Sequence, residues 1–181
     1  MWLMSTRAMR WSLGFLLGLL ANVAIANTPV TLSWDHLIPD GWDPEEEISD
    51  LLDRIAVVQD GTEEAWDLML KIQDIWQAAP LQEDLDSTHI SLRGFVVPLD
   101  GDANFVTTYL LVPYFGACIH SPPPPRNQMV LVEHSDRGLK LEDLQQVVEV
   151  TGPLSVNPTE MAYGEAGYTL KAEKTENIAG W

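Results

Sequence analysis

The 181-residue chain predicts an α+β fold, because the period of its hydrophobic residues changes part-way along. Between Asp43 and Ala78, apolar residues recur three and four positions apart, which is typical of amphipathic helices. From Thr88 onward they alternate with polar residues or form short apolar runs bounded by turn formers, which is typical of strands. The sequence therefore predicts a helical N-terminal section followed by a strand-rich C-terminal section.

Capping signals mark the starts of two helices. Asp43 precedes Pro44 and three glutamates, the pattern of an N-cap, a proline at the first helical position and acids in the first turn. This helix is expected to end near Gly61, where glycine favours a C-terminal stop. Thr62 is expected to cap the second helix, from Glu63 to about Ala78. The apolar face of the second helix comprises Ala65, Leu68, Met69, Ile72, Ile75 and Trp76.

The second half of the chain contains five or six predicted strands. They are His89–Leu99, Asn104–Val112, Gln128–Glu133, Gln146–Gly152, a short piece at Leu154–Val156, and Tyr168–Glu173. Closure into a barrel is the best way for so few short strands to remove exposed edges. The sequence thus predicts a small five- to six-stranded antiparallel OB-like β-barrel. An open antiparallel sheet with both helices on one face is the alternative.

The first 26 residues have the features of a cleaved secretory signal peptide. Arg7 and Arg10 precede an uncharged apolar run, and Ala24 and Ala26 form a small-x-small cleavage site. The apolar run is shorter than a spanning helix requires, although an uncleaved anchor is the alternative. We expect a periplasmic protein with one domain, residues 27–181. An extended segment and two helices occupy 27–80, and the barrel-like part occupies 88–175.

The charge balance restricts the classes of partner. The chain has 27 acidic and 10 basic residues, for a formal net charge of −17. Nucleic acid is excluded as a partner because phosphate binding requires clusters of Lys and Arg. Anionic lipid surfaces are disfavoured for the same reason. Cys118 is the only cysteine, so an internal disulfide is impossible.

The loop that contains this cysteine is a candidate metal site. Cys118 and His120 are two residues apart, so in an extended chain their side chains point to the same face. A thiolate with a neutral imidazole suits zinc or copper better than calcium or magnesium. Zinc needs three or four protein ligands. The candidates for the remaining ligands are His89, Glu133, His134 and His36.

Two further interpretations of this loop remain. Thiol catalysis by Cys118 and His120 is disfavoured because no helix N-terminus precedes the cysteine and no third group orients the imidazole, so we expect a non-enzymatic protein. Alternatively Cys118 is a small buried residue, and the loop is a rigid corner that docks a partner. The contact residues would then be Tyr114, Phe115, Gly116, Pro122, Pro123, Pro124, Pro125 and Arg126.

A resemblance to a known family rests on the long motif RGFVVPLD and YLLVPYFGACIHSPPPPRNQMVLV, together with WDHLIP, VTGPL and GYTLKA. These segments resemble the exported bacterial family called domain of unknown function 3299. The resemblance implies a periplasmic or lipoprotein-like protein, with some members beside zinc-responsive ABC-type transport systems. This chain differs from lipoprotein-like members because no cysteine follows Ala26 until Cys118.

The resemblance thus implies a metal-linked accessory role, with Cys118 and His120 as the natural ligands and an inner-membrane ABC transporter component as the partner. Our leading prediction is a non-enzymatic periplasmic accessory protein that binds a transition metal, most plausibly zinc. The alternative is an interaction module whose rigid loop, from Tyr114 to Arg126, docks a membrane partner without metal.

Overall fold

The structure is a computed structural model that describes residues 28–117, 123–161 and 164–178. The predicted signal peptide, residues 1–26, lies outside the described residues. Cys118, His120 and Pro122 also lie outside them.

Both predicted helices begin at their capping residues. Helix α1 spans Pro44–Ile55, and the Asp43 carboxylate accepts hydrogen bonds from the backbone N–H groups of Glu45 and Glu46. Helix α2 spans Glu63–Gln77, and the Thr62 hydroxyl accepts one from the N–H of Ala65 at 3.3 Å. Helix α1 ends several residues before the expected stop at Gly61. Within the described residues, no helix has the length and apolar character needed to span a bilayer.

The described residues contain eight strands. They are β1 (Val30–Leu32), β2 (His89–Gly101), β3 (Phe105–Val112), β4 (Val130–His134), β5 (Leu139–Lys140), β6 (Val147–Met161), β7 (Gly164–Ala172) and β8 (Lys174–Ile178). The predicted pieces around Gln146–Gly152 and Leu154–Val156 belong to one strand, β6. The Gly152-Pro153 dipeptide was expected to end a strand, but it marks the place where β6 changes its partner from β2 to β7.

Five of these strands close into a barrel. Strand β2 pairs with β3 through Phe95–Gly101, β3 pairs with β4, β4 with β7, and β7 with β6. Strand β6 then returns to the first half of β2, where Val148–Pro153 pairs with His89–Gly94. The coarse prediction of an α+β fold with a closed barrel is therefore confirmed.

The expectation that every ladder is antiparallel was wrong for one barrel pair. Strands β4 and β7 are parallel, from Val130 beside Tyr168 to His134 beside Ala172. Strand β6 lies between β4 and β7 in the sequence and is antiparallel to β7. The chain therefore reverses direction between β6 and β7, and β7 lies beside β4 in the same direction. The short strand β1, which the sequence prediction missed, also pairs parallel, with β2.

Apolar residues are buried on both faces of the barrel wall. Val96, Tyr109 and Leu111 belong to the cluster that fills the barrel interior. An outer cluster is formed by Val97, Leu110, Val112, Ala117, Met129, Leu131 and Ala166. The loop that follows β3 contributes Ala117 to this outer cluster. Because both faces are buried, the central strands are continuous apolar runs with little alternation.

A buried tyrosine holds the segments around the helices against the barrel. The Tyr168 hydroxyl donates to the carbonyl of Leu37 at 2.7 Å and accepts from the backbone N–H of Gln82 at 2.8 Å. Leu37 ends a short 3-10 turn that begins at Trp34, whose indole N–H donates to the carbonyl of Arg93 at 2.8 Å. The residues before α1 and after α2 are therefore both fixed to the barrel wall.

Strand β2 changes partner at Gly94, the last of its residues to pair with β6. A Cβ atom at this position would lie 2.8 Å from both the Leu111 Cγ and the Val112 carbonyl oxygen, and 2.9 Å from the Trp34 ring. Contacts this short require the surrounding strands or the indole to move. The close approach of β2, β3 and Trp34 thus depends on the missing side chain.

We predict that Gly94→Ala lowers the free energy of unfolding by about 1 to 3 kcal/mol, because the added methyl group overpacks this contact. Urea unfolding followed by circular dichroism measures the change. Glu133→Ala, at an exposed position of β4, is the control and should change stability by less than about 0.5 kcal/mol. Equal unfolding midpoints for Gly94→Ala and the wild type would contradict the packing role of Gly94.

Candidate functional site

The first part of the loop after β3 exposes two aromatic rings. The Tyr114 and Phe115 side chains are 46% and 69% exposed, whereas Ala117 is fully buried in the outer cluster. Gly116 has a φ of 84°, a left-handed conformation that favours glycine and turns the chain back onto the barrel. The Phe115 ring contacts Phe95 edge-on, with ring centroids 5.9 Å apart. Tyr114 and Phe115, which we call the aromatic pair, are therefore exposed next to a buried part of the loop.

The last part of the loop is fastened to the segment after α2. Pro124 and Pro125 are buried. The Arg126 Nε–H donates to the carbonyl of Ala79 at 2.6 Å, and the Asn127 amide donates to the carbonyl of Pro80 at 3.0 Å. Of the residues predicted to form a contact surface, Tyr114 and Phe115 are exposed, whereas Pro124 and Pro125 support the loop.

An apolar cavity of about 320 Å³ lies between α2 and this part of the loop, and we call it the α2–loop groove. Its apolar walls are formed by Trp66, Met69, Leu70, Trp76, Pro123 and Pro124. Met129 also lines the groove and belongs to the outer cluster beneath Phe95. The groove and the exposed aromatic pair are therefore connected through one continuous apolar layer.

A closed ion pair lies at the edge of the groove. The Arg126 guanidinium donates to the Glu165 carboxylate at 2.7 Å, and both side chains are about three-quarters buried. Arg126 also holds Ala79, so its charge and two of its donors are committed within the fold. The groove therefore has an apolar lining, and the ion pair at its edge adds no net charge.

The sequence prediction missed the most exposed wall of the groove. It assigned Leu68 and Ile72 to the buried face of α2, and both are buried. Trp66 and Leu70 were not assigned a role, yet they are 64% and 56% exposed. Four apart on the same helix, they form a second apolar stripe beyond the face that the core can cover. The sequence did contain a signal for this wall, because α2 has more apolar residues than one face of a helix can bury.

Two of the further metal-ligand candidates have side-chain partners close by. The His89 Nε2 lies 2.8 Å from a Glu173 carboxylate oxygen. The His36 Nδ1 accepts the backbone N–H of Ser33 at 3.0 Å and lies 2.7 Å from the Ser33 hydroxyl. Each of these histidines therefore already interacts with a nearby side chain.

The other two candidates, Glu133 and His134, lie at the end of β4. Glu133 is exposed, whereas the His134 side chain is only 6% exposed. His134 is four residues, or about 13 Å, along β4 from Val130, where the loop enters the strand. Among the residues that the structure describes, no three His, Asp or Glu side chains converge as a metal site would require. Cys118 and His120 lie outside those residues, so their assignment as metal ligands stays a prediction.

Comparison with known proteins places the chain in a family. A family model described as "Protein of unknown function (DUF3299)" matches residues 34–177. The chain belongs to the DUF3299 family. The resemblance that the motifs indicated is therefore confirmed, and it extends over α2, the groove and the whole barrel. No curated protein shows significant sequence similarity to the chain.

A solved structure of another DUF3299 protein is similar to this one. It is the crystal structure of a family member from Pseudomonas aeruginosa PAO1 at 2.45 Å resolution. The two chains are 33% identical with a TM-score of 0.66, and the similarity covers 85% of this chain and 99% of the other. The similarity therefore extends over nearly all of the solved relative.

A polar cluster closes one part of the barrel interior in this DUF3299 protein. The His134 Nε2 lies 3.2 Å from the Tyr109 hydroxyl and 3.3 Å from that of Thr175, and its Nδ1 lies 3.4 Å from Asp136. Burial raises the pKa of Tyr109 to about 12. Burial also lowers the pKa of His134, and the nearby Asp136 carboxylate opposes this shift only in part. The folded protein therefore favours a neutral imidazole.

We predict that protonation of His134 destabilises the fold. Because the folded pKa lies below the unfolded value of about 6.5, the stabilisation is complete above that pH and is lost as the pH falls towards the folded pKa. Thermal unfolding at about pH 7.5 and about pH 5.5 should show a smaller loss of Tm for His134→Gln than for the wild type. Val57→Ser, which changes an exposed residue without removing a titratable group, should keep the wild-type loss. An unchanged pH dependence in His134→Gln would refute this role.

Proposed function

We propose that this DUF3299 protein is an exported, non-enzymatic binding module that docks a protein partner at the α2–loop groove and the adjacent aromatic pair. The observation that carries the proposal is the exposure of four large apolar side chains beside an apolar cavity. These side chains are Trp66, Leu70, Tyr114 and Phe115. Contiguous exposed apolar surface next to a cavity marks an interaction site, and buried aromatic anchors dominate binding energy.

The way in which the loop is held supports this function. Ala117 is buried at one end, and at the other Pro124, Pro125 and the bonds of Arg126 fix the backbone. A contact surface that is already ordered loses little conformational entropy when a partner binds. The aromatic pair and the groove wall are therefore suited to rigid docking.

The barrel type supports the same location for the site. The strand order β2-β3-β4-β7-β6, with its single parallel ladder between β4 and β7, favours the OB-like assignment. OB barrels use the face of their second and third strands for binding. Here the outer residues of the corresponding strands, β3 and β4, are buried in one cluster with Ala117 of the loop. The loop itself and α2 are then the surface that remains for a partner.

Three other parts of the proposal rest on separate observations: the non-enzymatic character, export and the kind of partner. The described groups with shifted pKa values inside the barrel are Tyr109, His134 and Tyr168, and all three are almost inaccessible to a substrate. Export rests on the leader sequence. The family resemblance makes an inner-membrane ABC transporter component the partner that we propose.

Photo-crosslinking in the exporting bacterium tests the docking surface. A photoreactive phenylalanine analogue at Trp66 or Phe115 should give one discrete adduct, whereas the same analogue at Val57, which is 84% exposed and does not line the groove, should give none. Leu70→Ser should weaken the Trp66 adduct, and mass spectrometry should identify a membrane transport component in it. Equal adducts from all three positions, or none from Trp66 and Phe115, would refute docking here.

Zinc binding at Cys118 and His120 is a second proposed function. The observation that favours it is that the chain is held on both sides of this pair, by buried Ala117 before it and buried Pro124 after it. Fixed flanks of this kind lower the entropy that a short segment loses when it binds a ligand. One or two additional ligands would have to come from the candidates described above or from a partner chain.

Calorimetric titration of metal-stripped protein with zinc tests this second proposal. The expected result is stoichiometric binding that Cys118→Ala and His120→Ala each weaken by at least about tenfold, since each removes one ligand. Asp60→Ala, at an exposed carboxylate that is not a candidate ligand, is the control for adventitious binding. The absence of zinc binding in the wild type, or binding that is unchanged in both loop variants, would rule out a site at this pair.

A further inference from the structure

An acidic strip runs along one border of the α2–loop groove. Glu63, Asp67 and Asp74 lie on α2 within about 100° of Trp66 around the helix axis, on the same side of it as Leu70. All three carboxylates are exposed. Within the described residues, none of them takes part in an ion pair. The apolar wall is therefore flanked by three carboxylates that form no ion pair in the part of the chain that the structure describes.

The opposite border of the groove does not balance these charges. Arg126 lines that border, and it is neutralised by Glu165 and bound to the carbonyl of Ala79. Lys71 is the only basic residue of α2 and lies about 140° around the axis from Trp66, beyond the acidic strip. The net charge of −17 for the whole chain adds to the same field. An occupant of the groove therefore meets an apolar lining beside a negative border.

The dimensions of the groove restrict the occupant further. A volume of about 320 Å³ is at the lower end of the range for ligand pockets, so the groove accepts a few large side chains rather than a whole element. Helix α2 forms one wall, and Pro123 and Pro124 belong to the other. An amphipathic helix that lays apolar side chains three and four residues apart into such a groove is a common mode of recognition.

We infer that the occupant is an amphipathic helical segment of the partner, with large apolar residues on one face and Lys or Arg beside them to pair with Glu63, Asp67 and Asp74. This inference rests on the proposed docking function and adds the chemistry of the partner. Charge complementarity of this kind accelerates association and makes it sensitive to salt. A surface of anionic lipid has the same charge as the border and is disfavoured.

Three labelled model peptides test the inference by fluorescence anisotropy on the exported full-length protein. One is a 15-residue Leu/Lys peptide with Leu spaced three and four apart, the second has Glu in place of Lys, and the third is the first with its order scrambled. We expect the basic amphipathic peptide to bind at least about tenfold more tightly than the other two. Its affinity should fall severalfold between about 20 mM and about 500 mM NaCl.

Matched variants separate the apolar and charged contributions. Trp66→Ser and Leu70→Ser should each weaken binding of the basic peptide by about tenfold, whereas Val57→Ser should not. The double variant Asp67→Asn and Asp74→Asn should weaken it severalfold and flatten the salt dependence. Glu45→Gln and Glu46→Gln remove the same amount of charge from α1 and should have little effect. Circular dichroism confirms that each variant is folded.

The possible outcomes distinguish this inference from the docking proposal. If the acidic peptide binds as tightly as the basic one, and both depend on Trp66, the cationic partner is wrong but docking at the groove stands. If the scrambled peptide binds equally well, a helical occupant is wrong. If no peptide depends on Trp66 or Leu70 and crosslinking at Trp66 also fails, both proposals are overturned. Binding to phosphatidylglycerol vesicles that Trp66→Ser abolishes would instead assign the groove to lipid.

Discussion

The change of partner within strand β2 is the constraint on which the rest of the structure depends. The first half of β2 pairs with β6 and the second half with β3, so this one strand closes the barrel. The bend lies at Gly94, where a side chain would collide with Leu111, Val112 and Trp34. Without this close approach, β6 and β3 would each keep an unpaired edge, and exposed edges are sites of aggregation.

The groove is a consequence of how the helices are joined to this barrel. The Tyr168 hydroxyl satisfies the carbonyl of Leu37 and the N–H of Gln82, two backbone groups on either side of the helical pair. Leaving such buried groups without a partner costs about 1 to 3 kcal/mol each. Arg126 and Asn127 fasten the loop to the same segment after α2. The position of α2 relative to the loop, and hence the groove between them, follows from these bonds.

The sequence predicted well those features that local chemistry controls. The starts of α1 and α2 were located by Asp43 and Thr62, because an N-cap is a contact between residues three or fewer positions apart. The strand predicted at His89–Leu99 was also located, because alternation of apolar residues is a local pattern. Pairings between segments that are distant in the sequence could not be predicted from such local patterns. The continuity of β6 through Gly152-Pro153, the parallel β4–β7 ladder and the small strand β1 depend on neighbours far away in the chain.

The sequence by itself determined that this chain forms helices followed by strands, is strongly acidic, and contains an unusual loop of aromatic and proline residues. These properties follow from periodicity, charge and backbone restriction, which act locally. Only the tertiary structure decided which of the apolar residues remain accessible. Pro124 and Pro125 are buried as supports, while Phe115, Trp66 and Leu70 are exposed together with an acidic border. Exposure depends on which segments cover one another, and closure of the barrel fixes that arrangement.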